Sequence, residues 1–180
     1  MPEPVRIGIV GAESTGKTTL ASELASRLAQ DTGLRVAWVP ELLREWCDRT
    51  GRTPQAHEQA AILHAQHERI EAAAALHDVV VCDTTALMTA VYSHLVFGDR
   101  GLEAAALAQH RGVTLSLLTA LDLPWIADGL QRDGPHVREL VDNTLRELLL
   151  ANELPFAVIG GRGDRRLAQA LAAVAPLLRA

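Results

Sequence analysis

Gly11-Ala12-Glu13-Ser14-Thr15-Gly16-Lys17-Thr18 fits G-x-x-x-x-G-K-[ST], the phosphate-binding loop. Val5-Arg6-Ile7-Gly8-Ile9-Val10 precedes it, short and apolar like a buried strand. The stretch from Thr19 to Ala29 follows, with Leu20, Leu24 and Leu28 at helical spacing. Strand, loop, helix is the context in which this pattern binds phosphate. Glycines let successive backbone N–H groups turn toward the phosphates, and the helix N-terminus adds partial positive charge. Gly11, Glu13, Ser14, Thr15, Gly16, Lys17, Thr18 and Thr19 are therefore the expected nucleotide contacts. Lys17 would reach the β- and γ-phosphates, and the Thr18 hydroxyl would ligate Mg²⁺. Lys17 is the only lysine in the chain, the other sixteen of its 17 Lys+Arg residues being arginines. A compact ammonium stands where the chemistry asks for one, and arginine is not its equivalent.

Working outward, strand-like runs alternate with helical patterns. The strands are expected at 5–10, 34–39, 79–82, 113–118 and 156–159. Helices are expected from Thr53-Pro54 through Gln66 to Leu76, from Ala86 to Phe97, from Leu102 to His110, along Val137 to Leu148, and after a capping Asp164. This alternation predicts an α/β fold of the P-loop NTPase type, a doubly wound five-stranded parallel sheet with helices on both faces, as in nucleoside and nucleotide kinases. At 180 residues the chain suits a single domain spanning 1–180.

Composition narrows the partners. Net charge is −5, with 48% hydrophobic and 22% charged residues, so no general nucleic-acid surface is indicated. No apolar run approaches a membrane span. Met1-Pro2-Glu3-Pro4 has no secretory character, and Cys47 and Cys82 show no metal-ligand spacing, so a cytoplasmic protein with reduced thiols is expected. The seven histidines make no convincing metal set. The sequence does not specify an oligomeric state.

In doubly wound sheets ligands sit at the carboxyl ends of the strands, so the residues there carry the chemistry. Glu41 ends the second strand, and Arg44 and Glu45 follow one short turn later. Glu41 is either a base for an attacking hydroxyl or part of a solvated helix N-terminus. Asp83 ends the third strand and is either the second carboxylate of a phosphate-loop enzyme, holding Mg²⁺, or a cap for the next helix. Thr84 follows it where ATPase motors usually carry glutamate, which leans toward transfer to a bound acceptor. Gln66 is a candidate hydrogen-bonding partner for that acceptor. Arg132 and Arg138 bracket Gly134-Pro135 and are candidates for a lid over the nucleotide. Arg162, in Gly160-Gly161-Arg162-Gly163, either stacks on adenine or belongs to a plain turn. A guanine-reading N/T-K-x-D element is ruled out, because the single lysine already lies in the phosphate loop.

Four stretches together, G-A-E-S-T-G-K-T (11–18), E-L-L-R-E-W (41–46), C-D-T-T (82–85) and L-P-W-I-A-D-G-L (123–130), resemble the ribosylnicotinamide kinase domain of the bifunctional NadR proteins. They also resemble the related stand-alone ATPase/kinase domains. V-P-E at 39–41 is similar to deoxynucleoside kinases, in which a glutamate at this strand end acts as the base. The resemblance implies MgATP-dependent phosphorylation of a nucleoside 5′-hydroxyl, nicotinamide riboside to nicotinamide mononucleotide in NAD salvage. It places Lys17 and Thr18 on phosphate and Mg²⁺, Glu41 or Asp83 on the acceptor hydroxyl, Arg44 and Gln66 in the acceptor pocket, and Asp128 and Arg132 in the lid. Pro40 and Glu71 fall where aromatic stacking partners are expected, leaving Trp38, Trp46, Tyr92 and Trp125 as substitutes. A regulatory ATP-binding module, or a kinase for another nucleoside or a nucleotide, are the alternatives. A nucleotide acceptor would call for more arginines than Arg44 alone.

Overall fold

The strand-forming runs become β1 (Val5–Val10), β2 (Val36–Val39), β3 (Val79–Asp83), β4 (Leu115–Thr119) and β5 (Phe156–Ile159). In the computed structural model, which describes residues 3–127 and 134–178, they pair in parallel in the order β2-β3-β1-β4-β5. β1 is central: Ile7 pairs with Val81 of β3 on one side and with Leu115 of β4 on the other. The carboxyl ends of three neighbouring strands, Val10, Asp83 and Thr119, therefore lie side by side.

Alternation along the strands assigns the two faces. Ile7, Ile9, Val79, Val81, Leu117 and Ile159 pack against α1 (Lys17–Thr32) and α7 (Asp164–Val174). Leu20, Leu24 and Leu28 of α1 supply the matching stripe, each at most 3% exposed. Val10 and Leu118 turn the other way, onto α4 (Ala86–Phe97) and α6 (Pro135–Ala151). Val80 and Cys82 meet α3 (Gln59–Ala74) on that same face. Full burial of a Val, Leu or Ile side chain contributes about 1.5–3 kcal/mol, so strands covered on both faces read as near-continuous apolar runs. The doubly wound five-stranded parallel sheet is the architecture expected from the sequence.

Differences are local and have physical causes. Leu42–Thr50 form a helix, α2, which ends at Gly51 with φ 70°. The sequence reading gives no helix range there, only a short turn or a solvated helix N-terminus at Glu41, and Cys47 is the only buried residue of α2. The expected helix start at Thr53-Pro54 falls later. Gln55 and Glu58 form a reciprocal capping box around a 3-10 turn at Ala56–Glu58, and Arg52 holds the Glu58 carboxylate at 2.7 Å. β2 starts at Val36 rather than 34, since Arg35 is held by Asp78. β4 runs one or two residues later than expected, because the Thr114 hydroxyl accepts from the Arg6 N–H in front of it. Gly163 rather than Asp164 occupies the N-cap of α7. The remaining helix, α5 (Glu103–His110), lies where the sequence places it. No helix among the described residues is long and apolar enough to cross a membrane.

Candidate active site

The phosphate loop leaves β1 at Gly11 and enters α1 at Lys17. Gly16, at φ 75°, is the N-cap of α1, with no side-chain cap and no acidic residue in the first turn. The first N–H groups of α1 thus carry no side-chain cap and no acidic residue of their own turn, which leaves them open to an anion. Gly11 has no freedom to be anything else. Its φ is 152°, and a Cβ there would lie 2.0 Å from Thr119 Oγ1. Thr119 and Thr15 hydroxyls are 2.6 Å apart, Thr15 donates to the Ala12 carbonyl at 2.7 Å, and Thr119 donates to Val10 at 3.2 Å. These fully buried hydroxyls fix the loop from behind. Thr15 therefore contributes its backbone to the loop's front while its side chain points into the protein. Thr119 is missed by the sequence reading, since nothing in the sequence marks it as a partner of a residue 104 positions away.

Lys17 Nζ donates to the Ala12 carbonyl at 2.8 Å. Burial pulls its pKa below the usual lysine value, against the opposing charges of Glu41, Asp83 and Glu13. Thr18 Oγ1 donates to Asp83 Oδ2 at 2.6 Å. Asp83 is 1% exposed, and burial raises its carboxyl pKa despite the Thr18 hydrogen bond and the Lys17 and Arg44 charges. Its Oδ1 has no hydrogen-bond partner among the described residues. A buried carboxylate with one idle oxygen, beside a hydroxyl at a phosphate site, is a hard oxygen donor set of the kind Mg²⁺ takes. The residues present therefore fit the cation. Among the described residues no group of three or more His, Cys, Asp or Glu that could hold a metal ion assembles.

A cleft of about 650 Å³ opens above the loop, a size that accommodates small-molecule ligands. Glu13 through Thr19 form its floor, Glu41 and Arg44 one wall, Met88 and Tyr92 of α4 another, and Leu123, Pro124, Ile126 and Ala127 its rim. Glu41 is the N-cap residue of α2 but makes no capping hydrogen bond with its side chain. After burial, its charge is the largest influence on Lys17. Beyond Glu41 the cleft adjoins a smaller recess lined by Gln66, Thr84, Met88, Thr89 and Tyr92. Gln66 is 2% exposed. Its Oε1 accepts from the Leu42 N–H at 2.8 Å and its Nε2 donates to the Pro40 carbonyl at 3.5 Å. The amide thus holds the backbone on both sides of Glu41.

Other expected residues lie farther off. Arg138 is buried in α6, where it donates to the Leu123 carbonyl at 3.0 Å. It supports the rim from behind and is not part of the cleft lining. Arg162 is exposed in the β5–α7 turn, also outside that lining. Asp128 and Arg132 lie outside the described residues. Of the four aromatic candidates, Tyr92 lines the cleft. Trp38 is exposed on β2, and Trp46 faces away, under the Arg52 guanidinium at 4.9 Å. Trp125 belongs to the rim segment.

Two further contacts escape the sequence reading. Ser14, at φ 58°, clasps the rim: its hydroxyl donates to the Ile126 carbonyl and accepts from the Ile126 N–H. Arg166, 5% exposed, donates to the Gly161 carbonyl and lies 3.6 Å from Asp122. Burial lowers its pKa against the pull of Asp122. Asp122 also accepts from the Gly161 N–H, tying the turns after β4 and β5 together beneath Gly16.

Comparison with known proteins agrees with this geometry. The AAA_28 family, described as an AAA domain, matches residues 6–166. No curated protein sequence matches the chain significantly. Thymidylate kinase from Ehrlichia chaffeensis is similar in structure, with 17% identity and a TM-score of 0.68, covering 98% of this chain and 100% of that one. The NadR protein in complex with NR is similar at 21% identity and a TM-score of 0.74. The alignment covers 97% of this chain and 50% of NadR. The chain thus spans half the length of that NadR protein. The likeness to both is one of fold.

Proposed function

Because this chain belongs to the AAA_28 family, we propose that its cleft transfers the γ-phosphoryl group of MgATP to the 5′-hydroxyl of a nucleoside. Nicotinamide riboside is the first candidate acceptor. The observation that carries the reading is the pair of carboxylates, Glu41 and Asp83, whose charges both act on Lys17. Asp83 is engaged by Thr18 at 2.6 Å, on the phosphate-loop side. Glu41 stands on the opposite wall, at the mouth of the recess containing Gln66, Thr89 and Tyr92.

Thr18 and Asp83 are the residues that would hold Mg²⁺, which when bound neutralises charge on the β- and γ-phosphates. Lys17 and the α1 N-terminus meet the phosphate oxygens and stabilise the charge that spreads over them during transfer. Glu41 accepts the proton of the 5′-hydroxyl as that oxygen forms its bond to phosphorus. The bond between phosphorus and the β–γ bridging oxygen breaks, and ADP departs with the electron pair. Arg44, whose charge reaches both Lys17 and Asp83, holds the acceptor side. Tyr92 offers an aromatic face for a planar base.

The test is ADP release from MgATP with a panel of nucleosides, the products identified by mass. Phosphorylated nicotinamide riboside is the expected product. Turnover with another nucleoside keeps the chemistry and corrects the acceptor. ADP release that no nucleoside stimulates would refute the kinase reading and favour a regulatory module.

A further inference from the structure

Directly after Asp83, Thr84 adopts φ 68°. For a β-branched residue the left-handed region costs on the order of 1–3 kcal/mol, and it persists only where the surroundings enforce it. One restraint is visible at once: the Thr84 N–H donates to the Ile9 carbonyl of β1 at 3.1 Å. The other begins at Thr85. This residue is the N-cap of α4, yet its side chain makes no capping bond, which is the usual work of a threonine there. Its hydroxyl turns inward to His110 Nδ1 at 3.0 Å, and His110 Nε2 meets Ser116 Oγ of β4 at 2.7 Å. Thr85, His110 and Ser116 are 2%, 2% and 1% exposed. Burial pulls the imidazole pKa down to about 4, so near neutral pH the ring carries one N–H donor and one acceptor nitrogen. The two hydroxyls can rotate to satisfy both. β1 makes room for this arrangement at Gly8, where a Cβ would lie 2.9 Å from Thr85 Cγ2.

We propose that His110 is a positioning residue of the active site: bridging Thr85 to Ser116, it locks the Asp83-Thr84-Thr85 turn so that Asp83 stays on Thr18. His110 lies at the end of α5, outside the cleft lining, and acts only through Thr85. In its kinetic part the inference rests on the kinase reading. Its metal part rests on Asp83 and Thr18 alone. An N-cap threonine that abandons its own helix, beside a strained residue next to the catalytic carboxylate, breaks a local rule at a functional site. Such exceptions are expected where function requires them.

Thr85→Val keeps the side-chain shape and removes the hydroxyl, and Thr85→Ser restores it. For each variant three quantities are measured: ATP affinity with and without Mg²⁺, nucleoside-stimulated kcat, and the thermal midpoint. Loss of an outer support to a metal-binding group costs roughly 10–100-fold. Thr85→Val should therefore lower kcat about tenfold and shrink the Mg²⁺-dependent gain in ATP affinity by a similar factor. Metal-free ATP affinity should remain within about twofold of wild type, since Asp83 acts on ATP through the cation. Thr85→Ser should recover both losses. Wild-type kcat and Mg²⁺ response in Thr85→Val would overturn the proposal, as would an equal loss of metal-free affinity, the mark of general loosening. If Thr85→Val does not fold, Ser116→Ala decides in its place: a reduced Mg²⁺ response supports the proposal and an unchanged one overturns it. If the wild-type protein phosphorylates no nucleoside, the kinase reading fails, and the Mg²⁺ response alone decides this one.

Discussion

The two walls of the cleft are built in opposite ways. The wall proposed for phosphate is one continuous stretch, Gly11 to Thr18, shaped by its backbone conformation. The acceptor wall is assembled from the end of β2, the start of α2, the middle of α3 and the first turns of α4. Contiguity leaves a mark in the sequence, since a backbone that must turn inward at Gly11 and Gly16 excludes other residues. The acceptor wall leaves only scattered candidates, Glu41, Arg44, Gln66 and Tyr92, with no local motif that joins them. Gln66 reaches it across 24 residues to hold Leu42, by a contact that the sequence does not predict. A phosphate site recurs because phosphate does not change, whereas an acceptor site follows its substrate.

If the walls have these separate tasks, substitutions should sort by wall. Lys17→Ala should have the largest effect, lowering turnover by about 10³-fold with every acceptor, because a preorganised charge on the transferring group is lost. Retained turnover in steady-state assays would remove the phosphate wall from the chemistry. Glu41→Gln should lower kcat roughly 10²-fold or more, as expected for a lost general base, while ATP affinity in equilibrium binding stays near wild type. An unchanged kcat would move the base to Asp83 and erase the division between the walls.

The support behind both walls should show itself in acid. The folded-state pKa of His110, about 4, lies below its unfolded value of 6.5, so the unfolded chain takes up the proton first as pH falls. The contribution is complete above about pH 6.5 and is lost progressively toward pH 4. In total it is on the order of 3 kcal/mol. Arg6, Glu71 and His67 line the same small hollow as His110, so the comparison is best made by difference. Urea melts of wild type and His110→Gln at pH 7.5 and 5 should show the gap between them shrinking at the lower pH. A constant gap would contradict a buried neutral imidazole.

Smaller effects probe the attachments of each wall. Gln66→Met should raise the acceptor KM about tenfold, roughly the 1.4 kcal/mol of a lost buried hydrogen bond, with the ATP KM unchanged. A shift in the ATP KM instead would join the walls into one unit. Ser14→Ala should be mildest, changing ATP affinity only a few-fold. It removes two hydrogen bonds to an exposed rim, where water replaces the lost partner, so the net loss is about 0.5–1 kcal/mol in all.

What could be read in advance follows the same line. The loop, its flanking strand and helix, and the carboxylates ending β2 and β3 are local features with local physical causes, and they were legible. Arg138 and Arg162 were expected at the nucleotide because arginines near glycine-rich turns commonly serve there. The fold instead sets Arg138 behind the rim on Leu123 and leaves Arg162 exposed beyond the cleft. Arg166, one turn past Arg162, is the arginine drawn under Gly16, through partners at 122 and 161. Helix α2 was read only as a short turn or a solvated helix N-terminus at Glu41, because it is nine residues long and mostly exposed, with one buried side chain.

The sequence by itself determined that the chain carries a phosphate-loop motif, where that loop lies, and that it sits in a doubly wound parallel sheet. Each of these depends on backbone geometry that a few residue types specify over short distances. Only the tertiary structure decided which distant side chains meet. The strand order β2-β3-β1-β4-β5 sets Asp83 beside Thr18, Thr119 behind Gly11, and His110 between Thr85 and Ser116. These pairings span from six to more than a hundred residues along the chain. Their partners are chosen by the packing of helices on the sheet, and no residue's own chemistry names the neighbour it will find.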